Sequence, residues 1–340
     1  MDDVDQSAGD RGTVPLEGLL VVELANYLPG SFAAAELRRL GARAVKIEPP
    51  WGDAMRRLAP GWQRRLDAGK ESVACDLKAD PGLARAICAR ADVVLEGFRP
   101  GVARRLGIGP DDLPASIVYC SITGFGEGSR HAARVGHDLN YQGFAGALAD
   151  TAPALPAVPA ADVAAGSLGA VEEILAALVG RARTGRGTHI VVSMTHGAHR
   201  LIEHRLGGDP WPHTLTGGLA CYRIYATADG RHLTLGALEP EFFTRLCTVL
   251  GRPELAALQF DLGAQERLAG ELASAFGART LADWLTTLDG EEVAVGPVAT
   301  LEEAAADFGR PHAQAASPAP AVGEHTDAWR REVGLRAPDG

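Results

Sequence analysis

The sequence lacks the short motifs that mark the commonest nucleotide and hydrolase sites. It contains no P-loop, no GxSxG nucleophile elbow and no HExxH zinc motif. The first apolar run, Leu19 to Leu24, is followed by ANYLPG, where a dinucleotide-binding unit has GxGxxG. The absence of these motifs argues against a P-loop nucleotide hydrolase, a serine hydrolase with this elbow and an NAD-dependent dehydrogenase.

Cysteines are few, and they form no metal-binding pattern. The five are scattered, odd in number and without a CxxC pair: Cys75, Cys88, Cys120, Cys221 and Cys247. This pattern argues against a disulfide framework and against a zinc site. We therefore expect no bound metal and a reducing, cytoplasmic location.

Positive charge and long apolar runs are also in short supply. Lys and Arg total 33 against 43 Asp and Glu, so the net charge is -10, which argues against nucleic acid as a partner. The first twelve residues are acidic and polar, unlike a secretory signal. The most apolar helical stretch, Ile174 to Val179, is short and follows Glu172 and Glu173. We therefore expect no membrane span, although a local basic pocket for phosphates remains compatible with this charge.

The pattern of apolar runs predicts an α/β fold. With 340 residues, 46% hydrophobic and 22% charged, the chain has ample material for a buried core. Short runs rich in β-branched residues alternate with helical segments, which is typical of a mostly parallel, doubly wound sheet with helices on both faces. The predicted strands are Leu19–Leu24, Ala44–Glu48, Ser72–Leu77, Ala91–Phe98, Ser116–Thr123 and Thr188–Met194. We predict a helix from Ser31, as N-cap, to about Leu40.

The pattern changes near residue 207, which indicates a second domain. The segment CYRIYATADGRHLTLGA predicts a β-hairpin that turns at Asp229-Gly230, and helical segments follow from Glu241 to about Leu288. We predict a smaller α+β domain here. The predicted divisions are a flexible N-terminal arm at 1–14, a large domain at 15–206, the small domain at 207–300, and a C-terminal segment at 301–340 that returns to the large domain.

Three side chains are candidates for proton chemistry. His137, in GHDLNY, follows a predicted strand, and an imidazole suits proton transfer near neutral pH. Asp162 ends the Pro-rich loop 151–161 just before a predicted helix, where the helix dipole favours a carboxylate. Glu239 lies between a predicted strand and Pro240. Taken singly, a packed histidine, a helix N-cap and a solvated acid are the commoner outcomes.

A series of longer motifs resembles one family. The order of VVELANYLPGSFAAAELRRLGARAVKIEPPWGD, GKESVACDLK, ADVVLEGFRPG, SIVYCSITGFGEG, GHDLNY and RTGRGTHIVVSM resembles the family III coenzyme A transferases and their racemase relatives. The resemblance is close over roughly 15–246. Within it, GHDLNY and GALEPEFF resemble the α-methylacyl-CoA racemase branch.

The resemblance implies a set of roles. His137 and Asp162 correspond to the acid–base pair of the racemases, and Glu239 to the glutamate that supports the histidine. Coenzyme A enters as part of an acyl-CoA substrate, with no permanently bound cofactor, and the chain pairs with itself as an interlocked homodimer. The residues assigned to coenzyme A binding are Cys75, Asp76, Leu77, Lys78, Arg99, Gly136, Asp138, Leu139, Asn140 and Tyr141.

Three functions remain open from the sequence. A racemase would invert the α-carbon of a 2-methylacyl-CoA through an enolate, with backbone N–H groups at the helix start near Asp162 holding the enolate oxygen. A transferase would instead use Asp162 as the nucleophile that carries coenzyme A. A catalytically silent coenzyme A-binding protein is indicated only by Pro49 and Glu71, which stand where relatives often carry cations.

Overall fold

The computed structural model describes residues 14–207, 213–309 and 317–335. The N-terminal arm predicted at 1–14 thus falls almost entirely outside the described residues. The chain forms two compact units, and the boundary lies between Ile202 and Glu203. The described C-terminal residues, 317–335, belong to the first unit.

The first unit is built on a six-stranded parallel sheet, which confirms the predicted fold class. Its strands are β1 (Leu20–Leu24), β2 (Arg43–Glu48), β3 (Glu71–Ala74), β4 (Val93–Glu96), β5 (Val118–Thr123) and β6 (His189–Ser193). Their order is β3-β2-β1-β4-β5-β6, with every neighbouring pair parallel. The chain changes direction across the sheet between β1 and β4, and such switch points are where open α/β sheets bind ligands.

Helices cover both faces because the strands bury both sides. Val21 packs in one core with helix residues such as Leu37, while its neighbour Val22 packs in the opposite core with Ile87. The helices of this unit are α1 (Leu28–Arg39), α2 (Met55–Leu58), α3 (Pro60–Asp67), α4 (Gly82–Cys88), α5 (Val102–Arg105), α6 (Asp138–Ala145), α7 (Gly169–Thr184), α8 (Met194–Leu201) and, near the C-terminus, α13 (Thr326–Glu332). A π-helix, Ala160–Leu168, leads directly into α7.

Helix α1 begins three residues earlier than predicted. Pro29 lies in its first turn, where a missing N–H costs nothing. Ser31 is fully buried inside the helix, and its hydroxyl donates to the carboxylate of Glu23 rather than capping the helix. The predicted N-cap was therefore wrong, because a tertiary hydrogen bond uses the serine.

The helical segment Ala160–Thr184 is long and apolar enough to cross a membrane, with a mean hydropathy of 1.6 over its most apolar stretch. The expectation that no segment has this property was wrong, because the π-helix continues into α7 without a break and adds apolar length before Ile174. Ala165, Ala170 and Ile174 of this segment pack in the core on one face of the sheet.

The C-terminal segment lies along the edge strand β3. The backbone N–H of His325 donates to the carbonyl of Ser72 (2.8 Å), and the N–H of Ala74 donates to the hydroxyl of Thr326 (3.0 Å). The Trp329 side chain is fully buried, and its indole N–H donates to Glu71 (2.7 Å). These contacts satisfy backbone groups that an edge strand otherwise exposes.

The second unit combines a three-stranded antiparallel sheet with helices. The predicted hairpin is confirmed, with Gly230 in the left-handed region (φ 73°) at its turn. Its strands are β7 (Tyr222–Ala226), β8 (His232–Gly236) and β9 (Val295–Pro297), in the order β7-β8-β9. Its helices are α9 (Pro240–Val249), α10 (Gln265–Phe276), α11 (Leu281–Leu288) and α12 (Leu301–Phe308). Phe243, Leu272 and Trp284 lie in its separate hydrophobic core.

We predict that Trp329→Ala lowers the free energy of unfolding of the first unit by about 3–5 kcal/mol, because it leaves a large cavity and removes the bond to Glu71. Trp329→Phe should cost less, since it keeps most of the packing. Trp51→Ala is the control, because that side chain is 68% exposed and should change stability little. Urea unfolding followed by circular dichroism measures all three, and an unaffected Trp329→Ala midpoint contradicts the anchoring role.

Candidate active site

The turn between β1 and α1 is held by a buried charge network. The ammonium of Lys46 pairs with Glu23 and with Asp53 (2.8 Å), and that of Lys70 pairs with Glu23 (2.7 Å). All four side chains are almost completely buried. Burial alone would raise the pKa of Glu23, but the two lysines outweigh it and lower that pKa to about 2.

The same network binds the backbone of the turn. Lys46 donates to the carbonyl of Ala25 (3.3 Å), and Lys70 donates to the carbonyl of Ser31 (3.0 Å). The carboxylate of Asp53 accepts the N–H of Tyr27 (3.2 Å). The turn is therefore fixed at three points by charged groups.

Tyr27, in this turn, has a backbone conformation that suits glycine. Its φ of 70° and ψ of -173° lie in a region that other residues almost never occupy, at a cost of about 1–3 kcal/mol. Its ring is 42% exposed and meets the imidazole of His137 edge to face, with the ring centroids 5.7 Å apart. Strain of this kind is concentrated at functional sites.

His137 immediately precedes α6, so its backbone is fixed while its imidazole is exposed. Its N–H donates to the side chain of Asn140 (3.1 Å), and its carbonyl accepts the N–H of Tyr141 (3.1 Å). The imidazole makes no hydrogen bond to the residues that the structure describes. The imidazole of His137 therefore lies exposed beside Tyr27, just before α6 begins.

Asp162 lies in the first turn of the π-helix, and Asp138 ties that turn to α6. The Asp138 carboxylate accepts the N–H groups of Ala161 and Asp162, both at 2.9 Å. Its second oxygen accepts from Gln142 (2.6 Å). Since Asp138 follows His137 directly, these bonds bring the helix start of Asp162 to the helix start of His137.

The Asp162 carboxyl is set up to exchange a proton near neutral pH. Its Oδ1 is buried and finds no hydrogen-bond partner within residues 14–207, 213–309 and 317–335. Burial, and secondly the negative charge of Asp138, raise the pKa of Asp162 to about 7. A buried carboxyl oxygen without a partner costs free energy unless a ligand supplies one.

The predicted oxyanion donors at this helix start are already occupied. Asp138 binds the N–H groups of Ala161 and Asp162, and the next one, of Val163, donates to the carbonyl of Pro159 (2.8 Å). The expectation that these groups hold an enolate oxygen is therefore not met in this conformation, because Asp138 and the carbonyl of Pro159 already accept their hydrogen bonds.

A cavity of about 520 Å³ opens at the carboxyl ends of β1 to β4. Four of the residues predicted to bind coenzyme A line it: Cys75, Asp76, Leu77 and Lys78. Its other lining residues were not assigned from the sequence: Leu24, Asn26, Ile47, Glu48, Pro49, Trp51, Phe98, Val102, Arg105 and Leu106. Arg105 supplies a second cation beside Lys78, and its place at the end of α5 was not readable from the sequence.

The remaining predicted residues lie outside this lining. Arg99 is exposed in the loop after Phe98, and Leu139 is 45% exposed on α6. Tyr141 donates its hydroxyl to the carbonyl of Gly136, which braces the segment before His137. Glu239 is exposed at the start of α9, in the second unit.

The two departures from the family pattern have different consequences. Pro49 does line the cavity, and it stands at a position where relatives often carry a cation. Glu71 is not among the lining residues, and its carboxylate instead pairs with Arg43 (2.7 Å) and accepts from Trp329. Glu71 therefore belongs to the anchor of the C-terminal segment.

Sequence reasoning missed Glu96, a buried acid at the end of β4. Its carboxylate accepts the N–H of Phe98, the first residue of that loop to line the cavity. Burial raises its pKa to about 7, although the hydroxyl of Ser121 and the Phe98 N–H oppose this shift. The glutamate in an otherwise apolar strand, just before Gly97, was the available signal. Within the described residues, no group of three or more His, Cys, Asp or Glu side chains is arranged to hold a metal ion.

Comparisons with known proteins agree with this geometry. The sequence profile of CoA-transferase family III matches residues 16–326. The chain is 34% identical to mouse α-methylacyl-CoA racemase over 94% of this chain and 93% of the relative. It is 32% identical to the acetyl-CoA:oxalate CoA-transferase of Acetobacter aceti, over 86% and 82%.

A solved structure agrees as well. The CaiB/BaiF family protein of Brucella suis superposes with a TM-score of 0.77 at 28% identity, covering 94% of this chain and 99% of that one. The chain belongs to CoA-transferase family III, whose members include transferases and racemases that act on coenzyme A thioesters.

We predict that Asp138→Asn lowers the pKa of Asp162, because it removes the like charge while its amide oxygen still accepts the two N–H groups. The pKa should stay above the ordinary aspartate value, since burial is the larger cause. Carboxyl ¹³C NMR titration measures it, with Asp162→Asn to assign the signal. Asp111→Asn, at an exposed acid of the same unit, is the control. An unchanged Asp162 titration contradicts the coupling.

Proposed function

We propose that this protein is a racemase that inverts the α-carbon of a 2-methylacyl-CoA or related thioester. The observation that carries the proposal is the Asp162 carboxyl, with a buried oxygen that has no hydrogen-bond partner among the described residues and a pKa raised to about 7. Asp138 ties it to the helix start of His137. Two acid–base groups of unlike type suit a reaction that runs in both directions.

In this mechanism one group removes the α-proton and the other returns one to the opposite face. When the carboxylate of Asp162 takes the proton, the C–H electron pair moves into the thioester to form the enolate. Protonated His137 then donates its proton to the same carbon from the other side, and the enolate collapses to the thioester. The reverse direction exchanges the two roles. Glu239 is proposed to support the histidine.

The cavity at the carboxyl ends of β1 to β4 is proposed to bind the coenzyme A moiety. Lys78 and Arg105 provide charge for phosphates, and Trp51 and Phe98 provide flat apolar surface. The position at the switch point of a parallel sheet favours this assignment.

We further propose a cytoplasmic homodimer in which Glu239 reaches the site from the partner subunit. The five cysteines are all free and buried, which supports a reducing compartment. Glu239 lies in the second unit, while His137 and Asp162 lie in the first.

The second candidate is a CoA-transferase that uses Asp162 as the nucleophile. The same oxygen favours it, since a carboxylate oxygen that accepts no hydrogen bond from the described residues keeps its lone pairs for attack on a thioester. The similarity to the Acetobacter aceti transferase supports it as well.

We predict that the wild-type enzyme in D₂O incorporates one deuterium at the α-carbon of a 2-methylacyl-CoA without any acceptor acid, as followed by ¹H NMR. Asp162→Asn should retain coenzyme A binding and lose at least about 10²-fold in exchange. His137→Ala should abolish inversion, with slow exchange of one enantiomer. Acceptor-dependent transfer of coenzyme A, with a thioester trapped on Asp162 and no exchange, would establish the transferase instead.

We also predict that Lys78→Ala and Arg105→Ala each weaken coenzyme A binding about 5- to 10-fold, as expected for loss of a charged hydrogen bond. Isothermal titration calorimetry measures this. Arg183→Ala, at an exposed position on α7, is the control. Pantetheine, which lacks the phosphates, should show no difference among the variants. An equal loss for pantetheine would point to misfolding of the cavity.

A further inference from the structure

The strained turn at Tyr27 has no role in the reaction described above. Its side chain is not needed to cover a core, since 42% of it is exposed. A residue other than glycine in this conformation persists only where the surroundings enforce it. The question is therefore what the tyrosine side chain does there that glycine cannot do.

The surroundings of Tyr27 hold its backbone from several sides. Asp53 binds its N–H, and Asp53 is itself fixed by Lys46 and by the N–H of Met55 (2.9 Å). On the other side of the turn, the hydroxyl of Ser167 donates to the carbonyl of Pro29 (2.8 Å). The backbone conformation is thus set by buried charges and by the helix that carries Asp162.

In this backbone conformation the Tyr27 ring contacts the imidazole of His137. The planes meet at 72°, which is the favoured edge-to-face geometry for aromatic pairs. The tyrosine ring packs against the imidazole and thereby limits the orientations that the imidazole can adopt. An acid–base group must be aligned with its proton acceptor, so loss of such a contact lowers the rate and leaves coenzyme A binding intact.

We propose that Tyr27 is a positioning residue for His137, kept in a backbone conformation suited to glycine so that its ring sets the orientation of the imidazole. The catalytic consequence rests on the proposed function. The contact itself does not, because it involves only two side chains of this chain. Asn26, its neighbour, lines the coenzyme A cavity, whereas Tyr27 does not.

Three substitutions separate the ring from the strain. Tyr27→Gly removes both, Tyr27→Ala removes the ring and keeps the strain, and Tyr27→Phe keeps both. We expect Tyr27→Gly to unfold at the wild-type temperature or about 1–3 °C above it, and Tyr27→Ala to unfold below Tyr27→Gly. A purely structural tyrosine predicts the reverse, with the glycine variant the least stable.

The NMR signal of the His137 imidazole tests the positioning directly. In ligand-free protein, the Hε1 signal of His137, assigned by its loss in His137→Gln, should shift in Tyr27→Gly and Tyr27→Ala. Tyr27→Phe should retain the wild-type signal. With a 2-methylacyl-CoA, kcat should fall about 10-fold or more in the first two variants at unchanged coenzyme A affinity, and Tyr27→Phe should stay near wild type.

The outcomes distinguish the two proposals. An unchanged His137 signal in Tyr27→Gly, full kcat in that variant, or a glycine variant less stable than the alanine variant overturns the role of Tyr27. If wild-type protein shows no α-hydrogen exchange, the racemase proposal fails, while the position of the His137 signal and the unfolding temperatures still decide whether Tyr27 positions the imidazole.

Discussion

The ion pairs of Lys46 with Glu23 and Asp53 are the constraint on which the first unit depends. Removing such charges from water costs several kcal/mol each, and the cost is offset only when every hydrogen-bonding position is used. Here the positions left over by the ion pairs bind the carbonyl of Ala25, the N–H of Tyr27 and the hydroxyl of Ser31. Because the buried charges must be fully hydrogen-bonded, they fix the backbone of the turn between β1 and α1.

That turn contacts the elements that carry both candidate bases, His137 and Asp162. Tyr27 meets His137, and Pro29 is bonded to Ser167 in the helix that carries Asp162. Asp138 then joins the two helix starts to each other. The Pro-rich loop 151–161, which separates the bases along the chain, has no need to be rigid, because both groups are placed by contacts at its two ends.

Local patterns in the sequence predicted the elements well and their long-range contacts poorly. The six strands of the parallel sheet were found to within three residues because buried β-branched runs leave few alternatives, and Asp229-Gly230 identified the hairpin, whereas β9 was not predicted. Ser31 was misread as a cap, since its partner Glu23 lies on a different element. Asp138 and Glu96 were missed or given other roles for the same reason. The resemblance to a family singled out His137 and Asp162 as candidates and assigned four of the residues that line the cavity, while the strain at Tyr27 had no local signal.

The path of the chain has a consequence for biosynthesis. The edge of β3 is completed by residues 317–335, which the ribosome adds only after the whole second unit has been made. The second unit has its own core and is free to fold as soon as it emerges. The first unit, although most of it is synthesised earlier, keeps an exposed strand edge and an empty site for Trp329 until residues 317–335 have been made. During that interval the nascent chain presents a surface on which another strand can pair, so a chain that stops before residue 317 is prone to aggregation.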